Sequence, residues 1–255
     1  MIFVAVTIGV ILIYLAIEYR YYILYFFALV KNKAKYDSEL KTLMKQNVKK
    51  RIYKDETIRK YIDYINKVFE EQVKGSYTFK GDFVIREDLS NRLLYSRFNN
   101  DYIKELYKCM LEHFEIKEEE LPLEIKSISS RTYTPYFGLY DVNNKKVTLV
   151  KDPYITLDTL VAVLAHECTH HFLISRHIEL KGDIPNELLT DLTTIYLGFG
   201  KYLYEGYKDN RRVIYDGEFN VLVDGNKAGY LAYGDIKYAI KYIKELNKKS
   251  KHQAL

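Results

Sequence analysis

Leu160-Val-Ala-Val-Leu-Ala165 is apolar on every face, and the next five residues are His166-Glu167-Cys-Thr-His170. A helix that is apolar all round is a buried helix. Ionisable side chains that continue such a helix must find partners inside the fold. The body of the chain is therefore expected to be packed around this helix, with other elements facing His166, Glu167 and His170. Thr156 offers an N-cap at its start. His166 and His170 are four apart, about 40° from each other on one face and about 6 Å along the axis. Two imidazoles so placed bind one tetrahedral zinc through nitrogens at about 2.0–2.1 Å. Glu167 is about 100° round from His166, where it can touch a metal-bound water without ligating the metal. Zinc lowers the water's pKa toward about 7, the carboxylate takes its proton, and the oxygen attacks a carbonyl. Cys168 and His171 read as packing residues, off the ligand face or next to a better-placed histidine.

A third ligand is required, and a second helix offers one. After the loop Lys181-Gly-Asp-Ile-Pro185 comes Asn186-Glu187-Leu-Leu-Thr190-Asp191, opening an apolar helix to Leu197. Glu187 and Asp191 are again at i, i+4, on one face. Glu187 can complete a His/His/Glu site that leaves a fourth position for water. Asp191 can accept a hydrogen bond from the far nitrogen of a ligand histidine and fix its tautomer.

His166-Glu-Cys-Thr-His170 followed by Asn186-Glu-Leu-Leu-Thr-Asp191 resembles the gluzincin metallopeptidases, thermolysin-like in this pairing of motifs. Leu192–Gly200 and Gly229-Tyr-Leu also resemble uncharacterised bacterial H-E-x-x-H proteins. The resemblance implies His166, His170 and Glu187 as zinc ligands, Glu167 as general base and Asp191 as the partner behind a ligand histidine. It implies a zincin fold in which the strand before the active helix, Lys146–Val150, takes an extended peptide at the sheet edge. The family's oxyanion-stabilising His or Tyr has no clear counterpart; Tyr230 and His177 are the candidates.

The first 75 residues are of another kind. Ile2 to Ile17 is an apolar run relieved only by Thr7 and Gly9, and Ile23–Val30 continues it. About 20 apolar residues span a bilayer, so residues 1–30 read as a single-pass anchor rather than a signal peptide or a buried helix. No basic residue precedes the run and no small-x-small cleavage site follows it. Residues 31–60 hold 11 Lys/Arg against 4 Asp/Glu, whereas the chain as a whole carries +5. The basic excess is one block beside the anchor. This places the C-terminal body on the cytoplasmic side of the cell membrane and argues for lipid headgroups rather than nucleic acid. Residues 31–75 read as a basic juxtamembrane helical segment, with apolar residues from Leu40 to Phe69 at helical steps and a boundary at Gly75.

The catalytic domain is expected over 76–255. Tyr77–Ile85 looks like a strand and Asp88–Phe114 like a helix. Leu123–Ser127 and Lys146–Val150 look like strands, the latter in a hairpin with Phe137–Tyr140 through the turn residues Asp141–Lys145. His113 reads as a surface or packing residue, and Gly198-Phe-Gly200 as a helix stop. Cys109 and Cys168 form no C-x-x-C, which excludes a disulfide scaffold and a Cys-rich zinc module.

The expected fold is thus an α+β, zincin-like domain on a single-pass transmembrane anchor, with strands confined to 77–150. The expected function is a membrane-anchored zinc endopeptidase acting on protein or peptide substrates. Two other classes stay open: a tethered interaction protein with structural zinc, and a catalytically silent zincin-like domain acting as a membrane-tethered binding module.

Overall fold

Why the H-E-x-x-H helix sits at the centre is visible in what surrounds it. In the computed structural model, described for residues 51–73, 80–127, 137–151, 155–178, 186–209, 211–215, 221–225 and 231–253, this helix runs Leu157–Ser175. We call it α4. Its side chains are buried almost without interruption from Thr159 to Leu173, His170 being half-buried. Thr156 caps it, its Oγ1 accepting the Thr159 N–H at 3.2 Å.

The chain divides between Lys49 and Lys50, and the unit described here is the second, Lys50–Leu255. The expected anchor and most of the basic block lie outside the described residues. Among the described residues no helix is long and apolar enough to cross a membrane. Arg51–Lys54 is not helical; helix α1 starts at Asp55 and runs to Val68, followed by a π turn, Phe69–Val73. Ile58, Ile62, Ile65 and Phe69 form one stripe that enters the main core. The residues from 51 to 73, expected to group with the juxtamembrane segment, therefore pack with the body.

Of the strand expected over Tyr77–Ile85, the described part from Lys80 on joins neither sheet. It packs Phe83 against both His113 and Phe199. The long helix expected over 88–114 is two, α2 (Glu87–Tyr95) and α3 (Asn100–Phe114). Arg97 and Phe98 adopt positive φ between them, and Asn99 restarts the helix by accepting the Asp101 N–H at 2.8 Å. His113 is a packing residue: it is buried edge-on to Phe83 and Phe199 and bonded to the Leu197 carbonyl at 2.8 Å.

Strands β1 (Leu123–Ser127), β2 (Gly138–Asp141) and β3 (Lys146–Lys151) form a sheet in the order β1-β3-β2. β2 and β3 are the expected antiparallel hairpin, with Gly138 opposite Leu149 and Asp141 opposite Lys146. Asp141 Oδ1 accepts the Asn143 and Asn144 N–H groups at 3.0 Å, closing the turn. β1 joins β3 in parallel. This corrects one expectation directly: β3 is the central strand, and among the described residues the free edge beside α4 belongs to β2. Strands are not confined to residues before 150 either, because β4 (Arg211–Tyr215) and β5 (Val221–Gly225) form a separate antiparallel pair.

After α4 come α5 (Asn186–Thr194), a π turn (Ile195–Phe199), α6 (Gly200–Asp209) and α7 (Tyr233–Gln253). The Gly198-Phe-Gly200 triplet kinks the path instead of stopping it. Gly198 takes φ +98°, its carbonyl accepts the Phe83 N–H at 3.0 Å, and helix resumes at Gly200. Asp235, fully buried, accepts the Ala232 and Ile52 N–H groups and Arg51 Nε. That carboxylate ties the start of the body to the first turn of α7.

Candidate metal centre

α4 and α5 are held in register beside the site by hydroxyls. Thr194 Oγ1 and Thr169 Oγ1 lie 2.9 Å apart and share a hydrogen bond, each also 2.8 Å from a carbonyl of its own helix, Thr190 O and Ala165 O. With the helices so fixed, three side chains converge. His166 Nε2 lies 3.1 Å from Glu187 Oε2, His170 Nε2 lies 3.1 Å from His166 Nε2, and His170 Nε2 lies 3.2 Å from Glu187 Oε2. Among the described residues these three are the one group of His, Cys, Asp and Glu side chains close enough to share a metal ion.

The far side of each imidazole decides what the near side presents. His166 Nδ1 lies 2.9 Å from Asp191 Oδ1, in a fully buried carboxylate whose other oxygen accepts the Leu231 N–H at 3.0 Å. Asp191 only accepts, so the proton of that bond sits on Nδ1 and His166 Nε2 keeps a lone pair. His170 Nδ1 lies 3.2 Å from Thr190 Oγ1, and that hydroxyl already donates to the Asn186 carbonyl at 2.8 Å. The His170 ring therefore donates from Nδ1 as well, and its Nε2 also presents a lone pair. Two imidazole lone pairs and a carboxylate oxygen thus point at one spot. Three such groups repel one another unless a positive charge lies among them.

That charge can be a proton or a metal ion. Burial disfavours a charge on His166, but the hydrogen bonds of Asp191 and Glu187 outweigh it and raise its pKa to about 10. The same two imidazoles hold the Glu187 carboxyl far below the usual carboxylate range. A metal fits equally well: a tetrahedral zinc with bonds of about 2.05 Å needs donors about 3.3 Å apart, and the three edges here are 3.1, 3.1 and 3.2 Å. The donor set and its spacing suit a metal ion such as zinc.

Glu167 stands beside this triangle and outside it. It is 8% exposed. Burial pushes its pKa up, while the two histidines work against the rise. Tyr140 lays its ring parallel to His170, with centroids 6.3 Å apart, and shares a hydrogen bond of 3.1 Å between its hydroxyl and His171 Nδ1. His171 and the buried Cys168 are packing residues, as expected.

Of the two oxyanion candidates, Tyr230 lies outside the described residues. His177 is exposed in the turn after α4, with φ +54°, and is not part of the metal-ligand group. Thr190, which orients His170, and Tyr140, whose ring lies parallel to His170, were not singled out from sequence. Thr190 was within reach of that reading, because it sits in the same Asn-Glu-x-x-Thr-Asp run as Glu187 and Asp191. Comparisons with protein-family models, curated proteins and solved structures give no match.

Proposed function

We propose that this chain is a zinc-dependent peptidase of gluzincin type, with His166, His170 and Glu187 holding the metal and Glu167 acting as general base. One observation carries the reading: three lone-pair donors meet at metal-ligand spacing with both histidine tautomers set from behind, and a fourth, buried carboxylate lies alongside. Bound there, zinc supplies Lewis acidity and lowers the pKa of water into the neutral range. The chain's own groups do the rest. Asp191 and Thr190 keep both imidazoles oriented. Glu167 takes a proton from the attacking water and can pass it to the leaving amine, a role favoured by the upward pKa shift that burial gives it.

The substrate class follows from β2. Phe137 O accepts the Val150 N–H at 2.7 Å, so in the alternation of an antiparallel ladder Gly138 and Tyr140 turn their backbone groups to the free edge. An extended peptide added there would run past Glu167. Such an edge reads backbone more than sequence, which suits a protein or peptide substrate cut internally. The apolar run Ile2–Ile17 and the basic block after it would hold this activity at the inner face of the cell membrane and raise the concentration of nearby substrates.

The test combines metal analysis with cleavage of a peptide library by the zinc-loaded protein and its Glu167→Gln variant. Glu167→Gln is expected to keep one zinc per chain and to lose about 10²–10⁴-fold in hydrolysis. Loss of the metal from that variant, at unchanged folding, contradicts the role given to Glu167. A zinc-loaded native protein that cleaves nothing replaces the peptidase by a membrane-tethered binding module.

A further inference from the structure

We infer that Gly138 is a positioning residue for Glu167: the room left on β2 by its missing side chain is the room in which the Glu167 carboxylate sits. The inference rests on the reading of Glu167 as the base. A Cβ at position 138 would stand 2.6 Å from Val163 Cγ1, 2.7 Å from Glu167 Oε1 and 2.9 Å from Glu167 Cγ. All three are closer than any real contact of a Cβ, so something must yield. Val163 is buried one turn before Glu167 on α4, and a β-branched side chain in a helix has one strongly preferred rotamer. The Glu167 carboxylate is the flexible partner and would be the one displaced.

The backbone at 138 shows that space, not conformational freedom, is what this glycine provides. Its φ lies outside the left-handed region, so any residue could adopt it. A glycine within a strand weakens the strand and often marks a close approach. Here the approach is to the proposed base. Residues 138 and 140 share a face of β2, and the Tyr140 ring lies parallel to that of the proposed ligand His170. One short strand thus makes room for Glu167, while Leu139 between them turns outward, 48% exposed.

A double-mutant cycle on the full chain tests this without reference to activity. Gly138→Ala is expected to lower the Tm by roughly 2–12 °C, the range for an overpacked methyl in a protein of this size. In a Glu167→Ala background, which removes both contacted Glu167 atoms but leaves Val163, the same substitution is expected to lower it by clearly less. Equal shifts in the two backgrounds, zero included, overturn the inference.

A second measurement separates positioning from bulk structure. Gly138→Ala should retain zinc by metal analysis and lose about 10²-fold in kcat, as for a catalytic group displaced by about 1 Å, with KM little changed. Loss of zinc from Gly138→Ala would overturn the inference by placing the effect on the ligands. If the zinc-loaded native protein hydrolyses no peptide, the peptidase reading fails, and the cycle still decides for Gly138.

Discussion

Asp191 holds His166 by one carboxylate oxygen, Oδ1 to Nδ1 at 2.9 Å, and with the other it holds the backbone N–H of Leu231 at 3.0 Å. A residue from the second site helix therefore fixes both a proposed zinc ligand and the chain leading into α7. Its carboxylate is wholly buried and has work for both oxygens. Asp191→Asn leaves the size unchanged but has one acceptor oxygen for two donors, so its NH2 must face either the His166 Nδ1–H or the Leu231 N–H and one of the two bonds is lost. Zinc affinity is expected to fall about 10–100-fold, the usual effect of removing the partner behind a ligand histidine. Competition with a chelator of known affinity measures it. Unchanged affinity in a folded Asp191→Asn would show that this bond does not orient His166 for a metal.

Thr190 does for His170 what Asp191 does for His166, with a hydroxyl instead of a carboxylate. Thr190→Val keeps the shape and removes the acceptor. It is expected to weaken zinc binding by about tenfold or more, and Thr190→Ser, which restores the hydroxyl, should recover most of the loss. A Thr190→Ser variant as weak as Thr190→Val would assign the effect to packing of the methyl group.

What could be read ahead of the structure divides along a physical line. Features written within one helix were legible: the i, i+4 pairs His166/His170 and Glu187/Asp191, the cap at Thr156, and the burial of Leu160–Ala165. The β2–β3 hairpin was legible too, because Asp141–Lys145 carries its turn chemistry locally. Features that depend on which elements become neighbours were not. β3 looked like an edge strand because nothing in residues 137–151 announces that β1 arrives in parallel on its far side. Gly138 is an unremarked strand glycine until β2 is laid against α4. Gly198 has the composition of a helix stop, and only its contact with the 81–83 segment makes it a kink. Arg97 and Phe98, which split the helix expected over 88–114, take left-handed conformations that their residue types do not favour.

His113 provides a stability test that is independent of the metal. Burial lowers its pKa, with the Leu197 carbonyl working against that shift and Lys80 reinforcing it. The folded protein therefore holds His113 neutral at a pH where the unfolded chain, with a pKa near 6.5, has begun to bind a proton. By linkage its contribution is present above the unfolded pKa and is lost as pH falls from about 6.5 toward the lowered folded value. The slope cannot exceed about 1.4 kcal/mol per pH unit for one proton. His113→Phe should be less stable than the native chain at pH 7.5, since it gives up the bond to Leu197. It should also lose less of its stability between pH 7.5 and 5.5. Denaturant unfolding at the two pH values compares them, and an identical drop in both proteins would remove His113 as a source of acid sensitivity.

Gly81 and Gly198 are the two glycines with positive φ among the described residues, and they differ in a way that substitution should expose. At Gly81 a Cβ would meet nothing within 4 Å, so Gly81→Ala faces only the left-handed backbone, about 1–2 kcal/mol. At Gly198 the added Cβ would stand 2.2 Å from the Gly81 carbonyl oxygen and 3.0 Å from Asp82 Cα. Both are backbone atoms that cannot swing aside. The segment would have to lift, breaking the bond from the Phe83 N–H to Gly198 O and loosening Phe83 from Phe199. Gly198→Ala is therefore expected to cost about 2–5 kcal/mol, the same conformational cost plus overpacking. Denaturant unfolding of the two variants ranks them. Equal losses would mean that the kink between the π turn and α6 is set by backbone conformation alone, without the 80–83 segment packed over it.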